Sequence, residues 1–292
     1  MIRLIGFDLD GTLLTDDKRV TPRTRAVLAS CAARGIALVP VTGRPFSAIP
    51  GEVLALPGVR YAAAASGADI RDLLTGEILN RDVIPTATAL TILRALEEAG
   101  FLDMAFIDGV GYAESANLEK AIAWAPDEGT RQYLKHNRTP VADLREYVAD
   151  QACGIEKFTV TFPRDCRGEQ IGVERALEVL KPYADLIHVV CGRNISLEAG
   201  SATADKGRAL TLLGERLGIP QAEIMAIGDS GNDIDMRRSA GIFAAMGNAE
   251  AALKAAADFV TLTNEEDGAA AAILRAVPEL NLSPKAQNET KL

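Results

Sequence analysis

The chain has few of the residues that build thiolate metal sites or disulfide frameworks. Its 292 residues include only four cysteines and two histidines. The cysteines, Cys31, Cys153, Cys166 and Cys191, lie far apart and form no CxxC pair. This spacing matches neither zinc-ligand motifs nor the paired cysteines of small secreted domains. We therefore expect reduced thiols and no zinc site.

The chain also lacks long apolar runs and clusters of positive charge. No run approaches the roughly 20 residues of a membrane-spanning helix, and Asp8 interrupts the N-terminal apolar run too early for a signal peptide. The net charge is −9, from 31 Lys and Arg against 40 Asp and Glu. We therefore expect a cytoplasmic monomer or homodimer that binds small molecules, with no affinity for membranes or for the phosphate backbone of nucleic acids.

Both ends of the chain contain alternating strand and helix patterns. Continuous apolar runs are typical of strands covered on both faces, and they occur at residues 2–7, 36–41, 60–65, 223–228, 242–246 and 258–260. Helices are predicted near these runs, over 22–34, 206–217, 232–239 and 249–257. This order predicts an α/β fold with a doubly wound, Rossmann-like parallel sheet.

The middle of the chain has a different pattern. Strand candidates at 102–107, 157–162 and 185–190 alternate apolar and polar residues, as strands exposed on one face do. Helices are predicted beside them, over 86–99, 141–150 and 169–181. The change predicts an inserted α+β domain over 84–193 and a core domain formed by 1–83 and 194–278, with hinges at 81–85 and 192–194. Residues 279–292 are polar and aperiodic, as in a frayed tail.

Two aspartates follow the first predicted strand, in the sequence FDLDGT. Side chains alternate along a strand, so Asp8 and Asp10 begin on the same side, and Gly11 allows the chain to turn away. Two carboxylates this close need a cation, a shared proton or a phosphoryl group between them. The pattern therefore indicates a reactive or metal-binding site rather than an ordinary turn.

Two further polar clusters follow predicted parallel strands. VTGRP provides Thr42, Gly43 and Arg44, and GDSGND provides Asp229, Asn232 and Asp233. The carboxyl ends of parallel strands are where such sheets bind ligands. A threonine hydroxyl and a glycine amide suit a phosphate oxygen, whereas paired aspartates suit Mg²⁺.

A lysine begins the predicted helix at 206–217. Lys206 at a helix N-terminus makes an anion site plausible, although a surface lysine paired with Asp205 is the alternative.

FDLDGTLL, VTGRP, DKG and GDSGND, in this order, resemble the four motifs of the haloacid dehalogenase superfamily of phosphotransferases. The insertion resembles the C2 cap of class IIB, and MGNA (246–249) and NEEDG (264–268) resemble the Cof-type branch. Two positions depart from the Cof-type pattern. Ser66 stands where Asn is usual, and Asp205, which could pair with Lys206 and weaken phosphate binding, stands where Ser is usual.

The resemblance implies a Mg²⁺-dependent phosphatase acting on a small phosphomonoester, most simply a sugar phosphate. It implies that Asp8 is the nucleophile that becomes an aspartyl-phosphate, and that Asp10 is the general acid and base, with a pKa raised toward working pH by Asp8. The resemblance also implies that the metal binds Asp8, the Asp10 carbonyl, Asp229 and Asp233. It implies that the transferred phosphate binds Thr42, Gly43, Lys206 and Asn232. Thr12 would stabilise the aspartate loop, with Arg44 in support.

Alternative functions remain at this point. A phosphomutase would use the same chemistry, and a non-catalytic phosphometabolite-binding protein would need none of the reactive groups. A P-loop nucleotide hydrolase is disfavoured because the chain has no GxxxxGK[ST] motif. Within the predicted cap, polar residues that could contact a leaving group are Asp108, Tyr112, Glu114 and His188, although an outward-facing position on a strand explains His188 better.

Overall fold

The computed structural model of the chain describes residues 1–192 and 196–280. Its strands are β1 (Leu4–Phe7), β2 (Ala37–Pro40), β3 (Tyr61–Ala64), β4 (Asp69–Asp72), β5 (Ile78–Arg81), β6 (Leu102–Ile107), β7 (Val110–Glu114), β8 (Thr139–Val141), β9 (Lys157–Thr161), β10 (Ile187–Gly192), β11 (Ser196–Ser201), β12 (Ile224–Gly228), β13 (Ile242–Ala245) and β14 (Phe259–Val260).

The α-helices are α1 (Pro22–Ala33), α2 (Gly51–Leu54), α3 (Thr86–Glu98), α4 (Ser115–Trp124), α5 (Glu128–Asn137), α6 (Leu144–Gln151), α7 (Val173–Leu180), α8 (Lys206–Leu217), α9 (Ala251–Ala256) and α10 (Gly268–Ala276). A 3₁₀ helix covers Gly231–Ser239, where the sequence predicts an α-helix. No helix among the described residues is long and apolar enough to span a bilayer.

The first sheet is parallel, in the order β14-β13-β12-β1-β2. Leu4 aligns with Ala37 on one side and with Ile224 on the other. Strand β3 continues beside β2 through two parallel bridges and starts the antiparallel β3-β4-β5 sheet, in which a hairpin joins β4 to β5. Buried aliphatic side chains of this region form one large core. The predicted α/β class with a parallel sheet is confirmed.

The second sheet has six strands, in the order β10-β11-β9-β6-β7-β8. The prediction of half-exposed strands is wrong for β6, because all six of its residues are buried. Ala105 and Ile107 belong to a core shared with α3, α6 and α7, whereas Met104 packs with residues of α4 and α5. Helices cover one face of β6 and further buried groups cover the other. The strand therefore has no exposed face, although its alternating sequence suggests one.

Strand β11 corrects the predicted end of the insertion. It pairs with both β9 and β10, so Ser196–Ser201 lie in the second sheet and the core does not resume at residue 194. The predicted hinge at 192–194 and the tail at 279–292 lie largely outside the described residues. Thr203 Oγ1 donates to Asp82 Oδ2 at 2.6 Å, which joins the two segments that connect the sheets. The division into core and cap stays a prediction, with its second boundary best placed after Ser201.

Candidate active site

The loop after β1 places Asp8 at the edge of the parallel sheet. The backbone N–H of Asp8 donates to the Ile227 carbonyl at 3.0 Å, and Gly11 turns the chain with a φ of +79°. The Asp8 side chain is buried. Thr12 Oγ1 donates to Asp229 Oδ1 at 2.9 Å, so the hydroxyl of Thr12 ties this loop to the loop after β12.

Lys206 is buried and links two of the acidic residues. Its Nζ donates to Asp8 Oδ1 at 2.8 Å and to Asp233 Oδ1 at 2.6 Å. The alternative pairing of Lys206 with Asp205 does not form, because Asp205 caps helix α8 by accepting the Arg208 N–H at 2.8 Å and pairs with Arg238. Asp205 therefore leaves Lys206 free to contact the buried carboxylates, and a solvated surface lysine is excluded.

The loop after β12 is built around Asp233. Its Oδ2 accepts the backbone N–H groups of Asp229 and Ser230, at 2.9 and 3.0 Å. A Cβ at Gly228 would lie 2.4 Å from the Asp233 Cβ, so glycine at this position makes room for the carboxylate. The sequence therefore fixes Asp233 beside the strand end by a capping interaction and by the absence of a neighbouring side chain.

Asp8, Asp229 and Asp233 form a cluster that fits a divalent cation. One carboxylate oxygen from each lies within 4.8 Å of the others, and all three residues are buried. Lys206 supplies one positive charge to three acidic groups, so the cluster keeps an excess of negative charge. Hard oxygen donors of this kind suit Mg²⁺. The fourth predicted ligand is the backbone carbonyl of Asp10, and the Asp10 side chain is not part of this cluster.

Asp10 is instead held by two cations. Arg44 donates from Nε and Nη2 to the two carboxylate oxygens at 2.7 and 2.8 Å, and Lys18 Nζ lies 2.8 Å from Oδ1. Burial alone would raise the pKa of Asp10, but the hydrogen bonds and charges of Arg44 and Lys18 outweigh it and hold the pKa far below its usual value. The expectation of a raised pKa for Asp10 is therefore wrong.

Asp8 has the opposite electrostatics. Burial raises the pKa of Asp8, and the negative charges of Asp233 and Asp229 add to this effect, while Lys206 opposes it. Burial would lower the pKa of Lys206, but the carboxylates of Asp233 and Asp8 raise it above its ordinary value. Lys206 is therefore a permanent cation, and it favours the ionised form of Asp8 that a nucleophile requires.

A cavity of about 720 Å³ opens over Asp8 and Asp10. Thr42, Gly43 and Asn232, predicted to bind phosphate, all line it, whereas Lys206 lies buried behind Asp8. The opposite wall comes from the second sheet and its helices, through Phe106, Trp124, Tyr133, Arg138, Lys157 and Glu198. Lys157 Nζ bridges the two walls, donating to the Gly43 carbonyl at 2.6 Å and to Glu198 Oε2 at 2.7 Å.

The four polar residues considered for leaving-group contact lie outside this wall. Asp108 pairs with Arg81, and Tyr112 packs against Tyr147 at 4.5 Å between ring centroids. Glu114 accepts the Leu144 N–H at 3.2 Å, and His188 Nε2 lies 3.5 Å from Asp235. The sequence analysis did not identify the residues that line this wall. Two of them, Met104 and Phe106, lie two positions apart on β6 and therefore point to the same face of the strand. That spacing is the sequence signal that could have identified them.

The family model of haloacid dehalogenase-like hydrolases matches residues 5–273. The chain belongs to this family. The pyridoxal phosphate phosphatase YbhA of Escherichia coli is 31% identical over 274 residues, covering 92% of this chain and 96% of that protein. The 5-amino-6-(5-phospho-D-ribitylamino)uracil phosphatase YcsE of Bacillus subtilis is 28% identical, covering 93% and 94%. This haloacid dehalogenase-like hydrolase is therefore an enzyme that acts on phosphoric monoesters.

Solved structures agree with that assignment. TM0651 from Thermotoga maritima superimposes with a TM-score of 0.73 at 27% identity, covering 94% of this chain and 97% of that one. The subclass IIB sugar phosphatase BT4131 shares the fold with a TM-score of 0.77 at 23% identity, covering 94% and 99%. The resemblance to the haloacid dehalogenase superfamily is confirmed, and the chain shares the fold of a subclass IIB member.

Proposed function

We propose that this phosphatase hydrolyses a phosphomonoester of a small metabolite, most simply a sugar phosphate, through an aspartyl-phosphate formed on Asp8. The observation that carries the proposal is the position of the Asp8 carboxylate, which borders the cavity, contacts Lys206 and belongs to a three-carboxylate cluster. The names of the relatives add pyridoxal phosphate and a ribitylamino-uracil phosphate to the substrates that deserve testing.

In the first step, an Asp8 oxygen attacks phosphorus while the bond to the leaving oxygen breaks. Thr42, Gly43 and Asn232 line the same cavity and would hold the phosphoryl oxygens during this transfer. Mg²⁺ held by Asp8, Asp229 and Asp233 would offset repulsion between the carboxylate and the anionic phosphoryl group. The cation of Lys206 favours the ionised form of Asp8 against the effect of burial.

In the second step, water attacks phosphorus and gives its proton to Asp10, while the bond from phosphorus to the Asp8 oxygen breaks and phosphate is released. Arg44 and Lys18 hold Asp10 ionised in this structure, so it is ready to accept that proton. In the first step Asp10 would have to donate a proton to the leaving oxygen. We infer that one of its two cationic partners moves away before that donation, because both favour the ionised form.

The test compares the wild type with Asp8→Asn in a phosphate-release screen over sugar phosphates, pyridoxal phosphate and flavin mononucleotide. We expect no turnover by Asp8→Asn, an unchanged far-ultraviolet spectrum, and full activity of the exposed control Asp150→Asn. Rapid quenching of the wild type with labelled substrate should trap an acid-stable phosphoenzyme. Turnover by Asp8→Asn, or no labelled protein under any quench condition, would contradict the nucleophile assignment.

Metal dependence and phosphoryl acceptor are tested in the same screen. Removal of divalent ions with EDTA should abolish phosphate release, and Mg²⁺ should restore it; activity that survives EDTA would exclude the metal. Transfer of label to a second sugar rather than to water would favour the phosphomutase alternative. A cytoplasmic location, a monomeric or dimeric state and the absence of nucleic-acid partners stay predictions.

A further inference from the structure

Arg138 is a buried cation in the cavity wall with no anionic partner in the part of the chain that the structure describes. It follows helix α5, is 8% exposed and lines the cavity above Asp8. Its Nη1 donates to the Asn137 carbonyl at 2.8 Å, and its Nε is buried without a hydrogen-bond partner. Among the described residues, no carboxylate lies within 4.0 Å of this guanidinium. Most of its five N–H donors are therefore unused.

The surroundings of Arg138 hold the guanidinium in place without neutralising it. Its Cζ lies 4.8 Å from the centroid of the Phe106 ring and 5.2 Å from that of Tyr133. A Cβ at Gly111 would come within 3.0 Å of Arg138 Cδ and Nη1, so the glycine on β7 makes room for this side chain. Contact with two aromatic faces offsets part of the cost of burial but supplies no counter-charge.

The other cations around the cavity all have carboxylate partners. Lys18 and Arg44 both bind Asp10, and Lys157 binds Glu198. Asp127, a lining carboxylate near Arg138 in sequence, is engaged as the N-cap of α5, where it accepts the Thr130 N–H at 2.7 Å. Arg138 thus differs from its neighbours in lacking the partner that a buried guanidinium normally has.

The distance from Arg138 to the reactive groups suits a small molecule. The Tyr133 ring centroid lies 5.0 Å from Arg44 Cζ and 5.2 Å from Arg138 Cζ, so the two guanidinium carbons are at most about 10 Å apart. Arg44 in turn binds Asp10, which the proposed mechanism places at the leaving oxygen. A leaving group of about four to six carbons can span this separation.

We propose that Arg138 determines specificity by binding a second anionic group, a carboxylate or a phosphate, at the end of the leaving group remote from the transferred phosphate. The planar guanidinium matches both anions through paired N–H donors. This inference rests on the proposed phosphatase function, which decides which end of the substrate lies at Asp8.

The test uses three six-carbon esters that differ at carbon 1: glucose 6-phosphate, 6-phosphogluconate and glucose 1,6-bisphosphate. The wild type should show a kcat/KM at least about tenfold higher for one or both doubly anionic esters than for glucose 6-phosphate, as charge-assisted hydrogen bonds provide. In Arg138→Met this ratio should fall at least about tenfold, mainly through KM, with Arg138→Lys retaining part of it. The variant Arg145→Met loses the same charge at a partly exposed residue that does not line the cavity, so it should keep the wild-type ratio.

A binding measurement separates this inference from the proposed function. Trp124 is the one tryptophan of the chain and lines the cavity, so its fluorescence can report titration of 6-phosphogluconate or the bisphosphate into Asp8→Asn. Binding that weakens at least about tenfold on adding Arg138→Met supports the inference even if no ester is hydrolysed. Hydrolysis with the same ester ratio in wild type and Arg138→Met, together with unchanged titrations, would overturn it while leaving the phosphatase function intact.

Discussion

Replacing Lys206 with methionine should destabilise the metal-free protein severely. The Lys206 side chain is 1% exposed, and its Nζ lies within 2.8 Å of Asp8 and 2.6 Å of Asp233. Methionine fills much of the same volume but removes the ammonium group that pairs with Asp8 and Asp233. Removing one partner of a buried ion pair costs about 3–5 kcal/mol. That loss would be a large part of a typical unfolding free energy of about 5–15 kcal/mol.

Two further effects should accompany the loss of Lys206. Asp8 can limit the loss by binding a proton, so the destabilisation of Lys206→Met should grow between pH 6 and about pH 8. A divalent cation would replace the missing positive charge, so Mg²⁺ should restore more stability to the variant than to the wild type. Activity should stay low in Mg²⁺, about 10²- to 10³-fold below wild type, because Asp8 loses a positioned donor.

The measurement is urea unfolding followed by circular dichroism, in EDTA and in Mg²⁺, with the exposed Lys120→Met as the control. Wild-type stability of Lys206→Met in EDTA would refute the argument, because it would mean that Lys206 does not compensate the carboxylates. A loss of stability that is the same in EDTA and in Mg²⁺ would refute the proposal that Lys206 and the metal compensate the same carboxylates.

Two predictions concern stability away from the reacting groups. Burial raises the pKa of Asp103 on β6 to about 7. Between about pH 4 and pH 7 the folded state therefore keeps a proton on Asp103 that the unfolded state has released. The free energy of unfolding of the wild type should thus fall as the pH rises from about 4 to 7. Asp103→Asn should therefore be more stable than wild type at about pH 8, by up to about 4 kcal/mol, and little different near pH 4, as measured by urea unfolding; equal stabilities at about pH 8 would contradict this. At Gly207 an added Cβ would lie 2.1 Å from the Asp235 carbonyl oxygen, so Gly207→Ala should lower the free energy of unfolding by about 1–3 kcal/mol and displace Lys206. The control Gly51→Ala, where the added Cβ meets open space, should be neutral. Thermal unfolding and activity assays of both variants test this difference.

The parallel sheet and the motif residues at its edge can be predicted from local sequence patterns. Continuous apolar runs identify β1, β2 and β12 as central strands, and their parallel pairing brings their carboxyl ends to one edge. Asp8 and Asp229 therefore meet although 220 positions separate them in sequence order. Helix α8 begins at Lys206 as predicted, because the N-cap of Asp205 and the periodic apolar residues that follow both favour that start.

The other wall of the cavity was not predictable in this way. Alternation in β6 suggests one exposed face, yet helices cover one side and cavity residues the other, so periodicity misjudged the burial of Phe106. The partners of Asp10 also depend on tertiary contacts, because Arg44 follows a different strand and Lys18 reaches back across a turn at a φ of +61°. The pKa of Asp10 is therefore decided by distances that no motif encodes.

The hydrogen bond from Thr203 to Asp82 joins the two connections between the second sheet and the rest of the chain, so the segment that carries this sheet begins and ends at one point. We therefore expect changes of length or sequence between those two positions to leave the spacing of the strands that carry Asp8, Thr42 and Asp229 unchanged. Adaptation to a new metabolite would then need substitutions only in this segment.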